Sequence, residues 1–205
     1  MEEHTPEKKN SLLYKASLAI STIGNPLITF SVFVLFITLN TMDGVSATLL
    51  SLLVIGGVTI PISINNYVKT KNGKYTNYDV SDREQRQGFY HFLLILIGGV
   101  TGILYLTNQP AAFRHGSLVF FVMVIVSYII NYRLKVSMHT SISVYLGITL
   151  LLINFSAGLA MLVFAVLIGL SRLVLKRHTV AEVVAGLVVG FIFGAANYWV
   201  QLNIG

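Results

Sequence analysis

Long apolar stretches recur along almost the whole chain and alternate with short polar segments. Several stretches are shorter than the roughly 20 residues that cross a hydrocarbon core, so their ends must share the interface or pack against neighbours. The pattern predicts an all-α fold, a polytopic membrane bundle of six to seven transmembrane helices. The seven predicted spans are 24–41, 45–67, 89–107, 117–132, 140–154, 157–171 and 180–202.

The segment before the first span has a different pattern. Residues 10–23 are mildly amphipathic and carry Lys15, so they are predicted to lie on the membrane surface or to extend the first span. The expected division is an N-terminal cytoplasmic or interfacial segment, 1–23, and a transmembrane domain, 24–205. Pro61 lies within the second span and predicts a kink there.

Composition supports a membrane protein. Hydrophobic residues make up 55% of the chain and charged residues 11%, against roughly 25% charged in a soluble domain. The absence of cysteine excludes disulfides, thiolate metal sites and cysteine nucleophiles. The net charge is +6, but the cations flank the apolar spans. The expected partners are therefore membrane lipids or a phosphorylated substrate, and no nucleic acid.

The cations are distributed unevenly between the loops. With seven spans, loops 68–88, 133–139 and 172–179 fall on one side of the membrane together with the N-terminus. The positive-inside rule then predicts a multi-pass cell-membrane protein with this face in the cytoplasm, as Lys8 and Lys9 also indicate. If these cations serve to bind phosphate, their placement would instead reflect the chemistry of the site and not the orientation in the membrane. These loops hold ten of the fourteen Lys and Arg residues: Lys69, Lys71, Lys74, Arg83, Arg86, Arg133, Lys135, Arg172, Lys176 and Arg177.

The most polar of these stretches is SRLVLKRHTVAE, residues 171–182. His178 and Glu182 are four residues apart, so on a helix they share a face and can touch. A carboxylate bound to one imidazole nitrogen fixes the tautomer and leaves the other nitrogen to attack or to transfer a proton. The same face continues through glycines at every fourth position, which predicts close packing on a neighbouring helix. These glycines are Gly186, Gly190 and Gly194.

A second histidine, His139, opens another span on the same side. One reading is that the cationic loops only anchor the helices to headgroups. However, Glu182 enters an apolar segment, where an ionisable group is costly and usually functional. Two imidazoles with convergent guanidinium groups suit phosphoryl transfer through a phosphohistidine: one histidine attacks, one protonates the leaving oxygen, and cations hold the remaining oxygens.

SRLVLKRHTVAE resembles the third signature of the type 2 phosphatidic acid phosphatases (the PAP2 superfamily), S-R-x5-H-x3-D, except that Glu182 replaces the final Asp. VSMH, residues 136–139, is similar to the second signature, P-S-G-H, and keeps its Ser and His. The first signature, K-x6-R-P, is not present in register; its nearest candidate is DREQR, residues 82–86. The similarity covers roughly residues 80–195.

The resemblance implies a role for each matching position. His178 would be the nucleophile, Glu182 its orienting carboxylate and His139 the general acid. Arg172 would clamp the phosphoryl oxygens, helped by Ser137. Either Arg83 or Arg86 would take the place of the first-signature Arg, and Lys135 is our own candidate for its missing Lys. The family works without a metal ion, so no metal and no cofactor are expected.

The leading interpretation is an integral-membrane, metal-independent lipid phosphatase that hydrolyses a lipid phosphate or diphosphate, such as phosphatidate or an isoprenoid (prenyl) diphosphate. One alternative is a Mg-dependent membrane transferase of the prenyltransferase kind that would use Asp79 and Asp82. Another is a degenerate family member that binds lipid phosphate without catalysis. Turn formation and charge balance also explain the two aspartates.

Overall fold

The computed structural model describes residues 11–204; Lys8 and Lys9, used above to predict orientation, lie outside them. Within this range the chain is helical and contains no strand. The helices are α1 (Leu12–Ile23), α2 (Pro26–Thr41), α3 (Gly44–Lys71), α4 (Gln85–Leu106), α5 (Ala111–Asn131), α6 (Met138–Leu151), α7 (Phe155–Val174) and α8 (Val180–Ile204).

Each predicted span coincides with a helix. Helices α3, α4, α5, α7 and α8 are long and apolar enough to cross a membrane, and α1 with α2 counts as a sixth, bent span. Helix α6 is also apolar but has only 14 residues. With five candidate spans, or six if the bent pair is one span, the structure is consistent with the predicted polytopic helical bundle.

Where a kink is predicted at Pro61, the helix contains a π-helical turn at Ile55–Thr59, just before the proline. Proline has no N–H, so at position 61 it cannot donate to the carbonyl of Gly57, four residues earlier. That carbonyl lies within the π-turn. A wider turn is a common way for a helix to absorb such a missing bond.

The structure divides into two compact units. One contains the described residues up to Thr29 together with Val136–Gly194, and the other contains Phe30–Lys135 with the described residues from Ala195 onward. In the first unit, α7 packs against both α6 and α1. Residues 138–148 of α6 are all buried. This explains why the helix carries apolar and small polar residues on all sides and is not amphipathic.

The predicted glycine strip of α8 is the surface that packs on α6. A Cβ at Gly186 would lie 2.7 Å from the carbonyl oxygen of Ser137, and one at Gly190 would overlap the carbonyl of Ser141. A Cβ at Gly194 would lie 2.8 Å from the side chain of Ile148. The absence of side chains at these positions lets the two helix backbones approach closely.

In the second unit, hydrogen bonds and ring stacking join several of the helices. Thr38 of α2 and Ser51 of α3 share a hydrogen bond of 2.9 Å between their hydroxyls. The rings of Phe30 and Phe120 stack with centroids 5.2 Å apart. Near the C-terminus, Gln201 Nε2 donates to the carbonyl of Ala112 at the start of α5.

Candidate active site

The C-terminus of α7 sets the position of His178. Lys176 has a left-handed backbone, with φ of 53°, and its N–H donates to the carbonyl of Leu173 at 2.9 Å. The N–H of Arg177 donates to the carbonyl of Arg172 at 3.0 Å, which completes a Schellman motif. The N–H of His178 donates to the same carbonyl at 3.3 Å. The main chain of Arg172 therefore holds the backbone of His178.

Helix α8 begins immediately afterwards with a capping box. The N–H of Glu182 donates to Thr179 Oγ1 at 3.3 Å, and the N–H of Thr179 donates to Glu182 Oε2 at 3.1 Å. His178 Nδ1 lies 2.9 Å from that same Oε2. Because a carboxylate only accepts, Nδ1 must carry the proton, and in the neutral imidazole the lone pair is then on Nε2.

The predicted contact between His178 and Glu182 is present, but its geometric basis differs from the prediction. His178 is not helical, because α8 starts at Val180. The two side chains meet because Glu182, in the first turn, reaches back past the helix start. Its carboxylate serves the helix cap and the histidine together, so the cap and the pair form one local structure.

The second histidine stretch lies against this first turn. The N–H of Ser137 donates to the carbonyl of Glu182 at 3.1 Å, so the start of α6 is fixed to the start of α8 by the main chain. Ser137 Oγ and Thr140 Oγ1 are 3.0 Å apart, and both residues are fully buried. His139, in the first turn of α6, is 3% exposed.

Arg172 connects the two histidine stretches. Its side chain is completely buried, a costly place for a guanidinium group. Nη1 donates to Ser21 Oγ of α1 at 2.8 Å and makes a long contact of 3.5 Å with His139 Nε2. Since the guanidinium group only donates, His139 Nε2 is the acceptor in this contact.

These elements together form a site suited to an anion. The N-termini of α6 and α8 lie side by side, linked from Ser137 to Glu182, and a helix N-terminus presents backbone N–H groups and a partial positive charge. The buried cation of Arg172 lies against the first turn of α6. Positive charge with little access to water favours a phosphoryl group more strongly than a solvated cluster would.

Three of the predicted phosphate-binding residues belong to the other compact unit: Arg83, Arg86 and Lys135. Within it, Arg83 Nε donates to the carbonyl of Asn131 at 3.1 Å, and Arg86 Nε to that of Val80 at 2.9 Å. These bonds tie the loop before α4 to its surroundings. The site described in the first unit contains Ser137, His139, Arg172, His178 and Glu182.

Of the two aspartates considered as metal ligands, Asp82 has a clear local role. Its Oδ1 accepts the N–H groups of Glu84 and Gln85 at 3.0 and 3.1 Å, which stabilises the turn leading into α4. Among residues 11–204 there is no group of three or more His, Asp or Glu side chains arranged to hold a metal ion.

The structure shows further residues at the site that the sequence analysis did not predict. Thr179 could have been found, because Thr-x-x-Glu before an apolar run is a capping-box pattern. Thr140 could not have been singled out, because it touches Ser137 only through the turn at the start of α6. Ser21 lies 151 residues before Arg172, and their contact depends entirely on how α1 packs on α7.

Comparison with known proteins agrees with the two histidine stretches. The model of the PAP2 superfamily matches residues 106–205, a range that includes both stretches but begins after Arg83 and Arg86. Comparisons with curated proteins and with solved structures gave no significant match. Over residues 106–205, which include Arg172, His178 and Glu182, the chain is thus similar to the PAP2 superfamily, and this match is consistent with membership.

Proposed function

We propose that the protein is an integral-membrane phosphatase that hydrolyses a lipid phosphate or diphosphate through a phosphohistidine. The observation that carries this proposal is the arrangement around His178, whose Nδ1 is held at 2.9 Å by Glu182 while the buried Arg172 contacts His139. A nucleophile with an orienting base partner, an acid and a fixed cation are the groups that phosphoryl transfer needs.

The reaction would proceed in two displacements. In the first, the lone pair of His178 Nε2 attacks phosphorus while the bond to the leaving oxygen breaks, and His139, as the imidazolium, protonates that oxygen. Glu182 stabilises the positive charge that develops on the imidazole ring. Arg172 and the helix N-termini balance the charge on the remaining phosphoryl oxygens.

In the second displacement, His139 removes a proton from water as the water oxygen attacks phosphorus. The phosphorus–Nε2 bond breaks, inorganic phosphate leaves, and His178 returns to its starting form. Every proton transferred in this cycle passes through His139, and groups of the protein balance every charge that develops. The cycle therefore uses no cofactor.

The lipid character of the substrate is supported by the surroundings of the site. Helices α7 and α8, which carry Arg172 and Glu182, are both candidate membrane spans, and the site lies where α7 ends and α8 begins. Val180, directly after the capping residue, is 65% exposed. A headgroup at the site would thus leave its apolar chain beside apolar helix surface. Phosphatidate and prenyl diphosphates share this amphiphilic shape.

Phosphate release by the purified protein from phosphatidate and prenyl diphosphates, in the presence of EDTA, tests the proposal. We expect turnover that His178→Ala abolishes and that His139→Ala lowers by about 100-fold or more, the usual contribution of a general acid. His91→Ala is the matched control, because His91 lies on α4, where its Nε2 pairs with Tyr128. Activity lost on EDTA treatment would favour the Mg-dependent transferase instead. No phosphate release from any of these substrates would favour a degenerate, lipid-phosphate-binding protein.

A further inference from the structure

Arg172 receives a contact from a part of the chain that the family match does not cover. Ser21, near the end of α1, accepts a hydrogen bond of 2.8 Å from Arg172 Nη1. Ser21 is 2% exposed and Arg172 is fully buried, so water does not compete for this bond. A buried hydrogen bond to a charged group is among the stronger ones in proteins.

The approach of α1 to α7 is close enough to make this contact specific. Gly24, three residues after Ser21, lies where a Cβ would overlap the side chain of Ile168 on α7. Ser17, one turn before Ser21, is also buried. One face of α1 with small side chains thus rests on α7 one turn before Arg172.

The geometry of the guanidinium group explains what the contact does. Its five N–H groups lie in one plane in fixed directions, so holding Nη1 limits the rotation of the whole group. The same Nη1 lies 3.5 Å from His139 Nε2. Ser21 therefore binds the same guanidinium nitrogen that contacts the second histidine.

We propose that Ser21 is a positioning residue for the oxyanion-binding Arg172, so that α1 is part of the site. This assignment rests on the proposed function for its role in catalysis, although not for its role in binding an oxyanion. Under this assignment, α1 is a functional element and not only a surface segment or an extension of the first span.

The binding of tungstate, a phosphate analogue, to the full chain in detergent tests this assignment without requiring turnover. We expect Ser21→Ala to weaken tungstate binding by about tenfold, the typical effect of losing one hydrogen bond to a charged group. Ser21→Thr keeps the hydroxyl and should bind as the unmodified protein does. Ser17→Ala, an identical change at a buried position one turn away, is the matched control. In turnover, KM should rise with the tungstate dissociation constant.

A folded Ser21→Ala protein with unchanged tungstate affinity would overturn the assignment, as would an equal loss in Ser17→Ala or no tungstate binding by the unmodified protein. If Ser21→Ala does not fold, Ser21→Cys keeps a side chain of similar shape, slightly larger, with only a weak acceptor, and a weakening toward tenfold is expected because most of the bond to Arg172 is lost. Tungstate binding that depends on Ser21, without phosphate release, would contradict the proposed function and leave this assignment in place.

Discussion

Glu182 performs three tasks at the residue scale. Its carboxylate accepts from His178 Nδ1 and from the N–H of Thr179, and its carbonyl accepts from the N–H of Ser137. The side chain therefore fixes the imidazole, and the main chain fixes the start of α6. None of these hydrogen bonds requires the negative charge, since a neutral amide oxygen also accepts them; the charge is needed to balance a positive imidazole.

Substitutions of Glu182 separate charge from shape. Glu182→Gln keeps the length but cannot balance a positive imidazole, so we expect kcat to fall by about 100-fold or more with little change in melting temperature. Glu182→Asp keeps the charge that the family signature has at this position and should retain more activity than the Gln variant. Steady-state kinetics and thermal unfolding of both variants provide the comparison. A Gln variant as active as the Asp variant would show that the carboxylate charge is not used.

At the scale of elements, the close approach of α8 to α6 determines how the two helix starts meet. Gly186 and Gly190 lie against the main-chain carbonyls of Ser137 and Ser141, which cannot rotate aside as side chains can. Because the strip begins at Gly186, one turn after Glu182, the packing of these helices supports the bond between Ser137 and Glu182. Stability and site geometry are thus coupled in this pair of helices.

A Cβ at Gly190 would test this packing directly. Gly190→Ala would place a methyl group against the Ser141 carbonyl, and we expect a loss of about 1–3 kcal/mol in the free energy of unfolding, as for other overpacked positions. Gly99→Ala on α4 is the matched control, because nothing lies within 4 Å of its added Cβ. That variant should be neutral or gain up to roughly 1 kcal/mol from helix propensity. Unfolding in detergent measures both, and equal stabilities would contradict the packing described here.

Local sequence patterns predicted several particular elements of the structure. Apolar length located every span, and the four-residue spacing predicted both the His178–Glu182 contact and the glycine strip. The non-helical backbone at His178 was missed because a Schellman turn with Lys in place of Gly carries no glycine signal. Ser21 was missed because periodicity says which face of α1 is buried but not which helix covers it.

At the scale of the whole molecule, α7 links the site to the opposite end of the first unit. Its 20 residues, from Phe155 to Val174, correspond to about 30 Å of helix, the thickness of a hydrocarbon core. The turn with Lys176 follows one end, and Ser156 lies in the first turn at the other. In the orientation that the loop cations predict, the Lys176 end of α7 faces the cytoplasm.

Because the chain has no cysteine, single cysteines report this orientation without a background. Both Ser156 and Lys176 are exposed. In intact cells we expect a membrane-impermeant maleimide to label Ser156→Cys but not Lys176→Cys, and to label both after permeabilisation. The reverse pattern would place the phosphatase site on the outer face and would mean that the loop cations reflect phosphate binding more than insertion.

The two motifs that meet at His178 have a consequence for how this sequence can change in evolution. The Schellman turn is made by main-chain hydrogen bonds, so the number of residues from 173 to 177 sets the position of His178 relative to Arg172, while the capping box needs the side chains of Thr179 and Glu182. Apart from the buried Leu175, point substitutions can accumulate within residues 173–177 while Arg172 and His178 stay in place. A single inserted or deleted residue would shift the histidine away from the carbonyl of Arg172. Selection on this segment should therefore act on its length far more than on the identity of its residues.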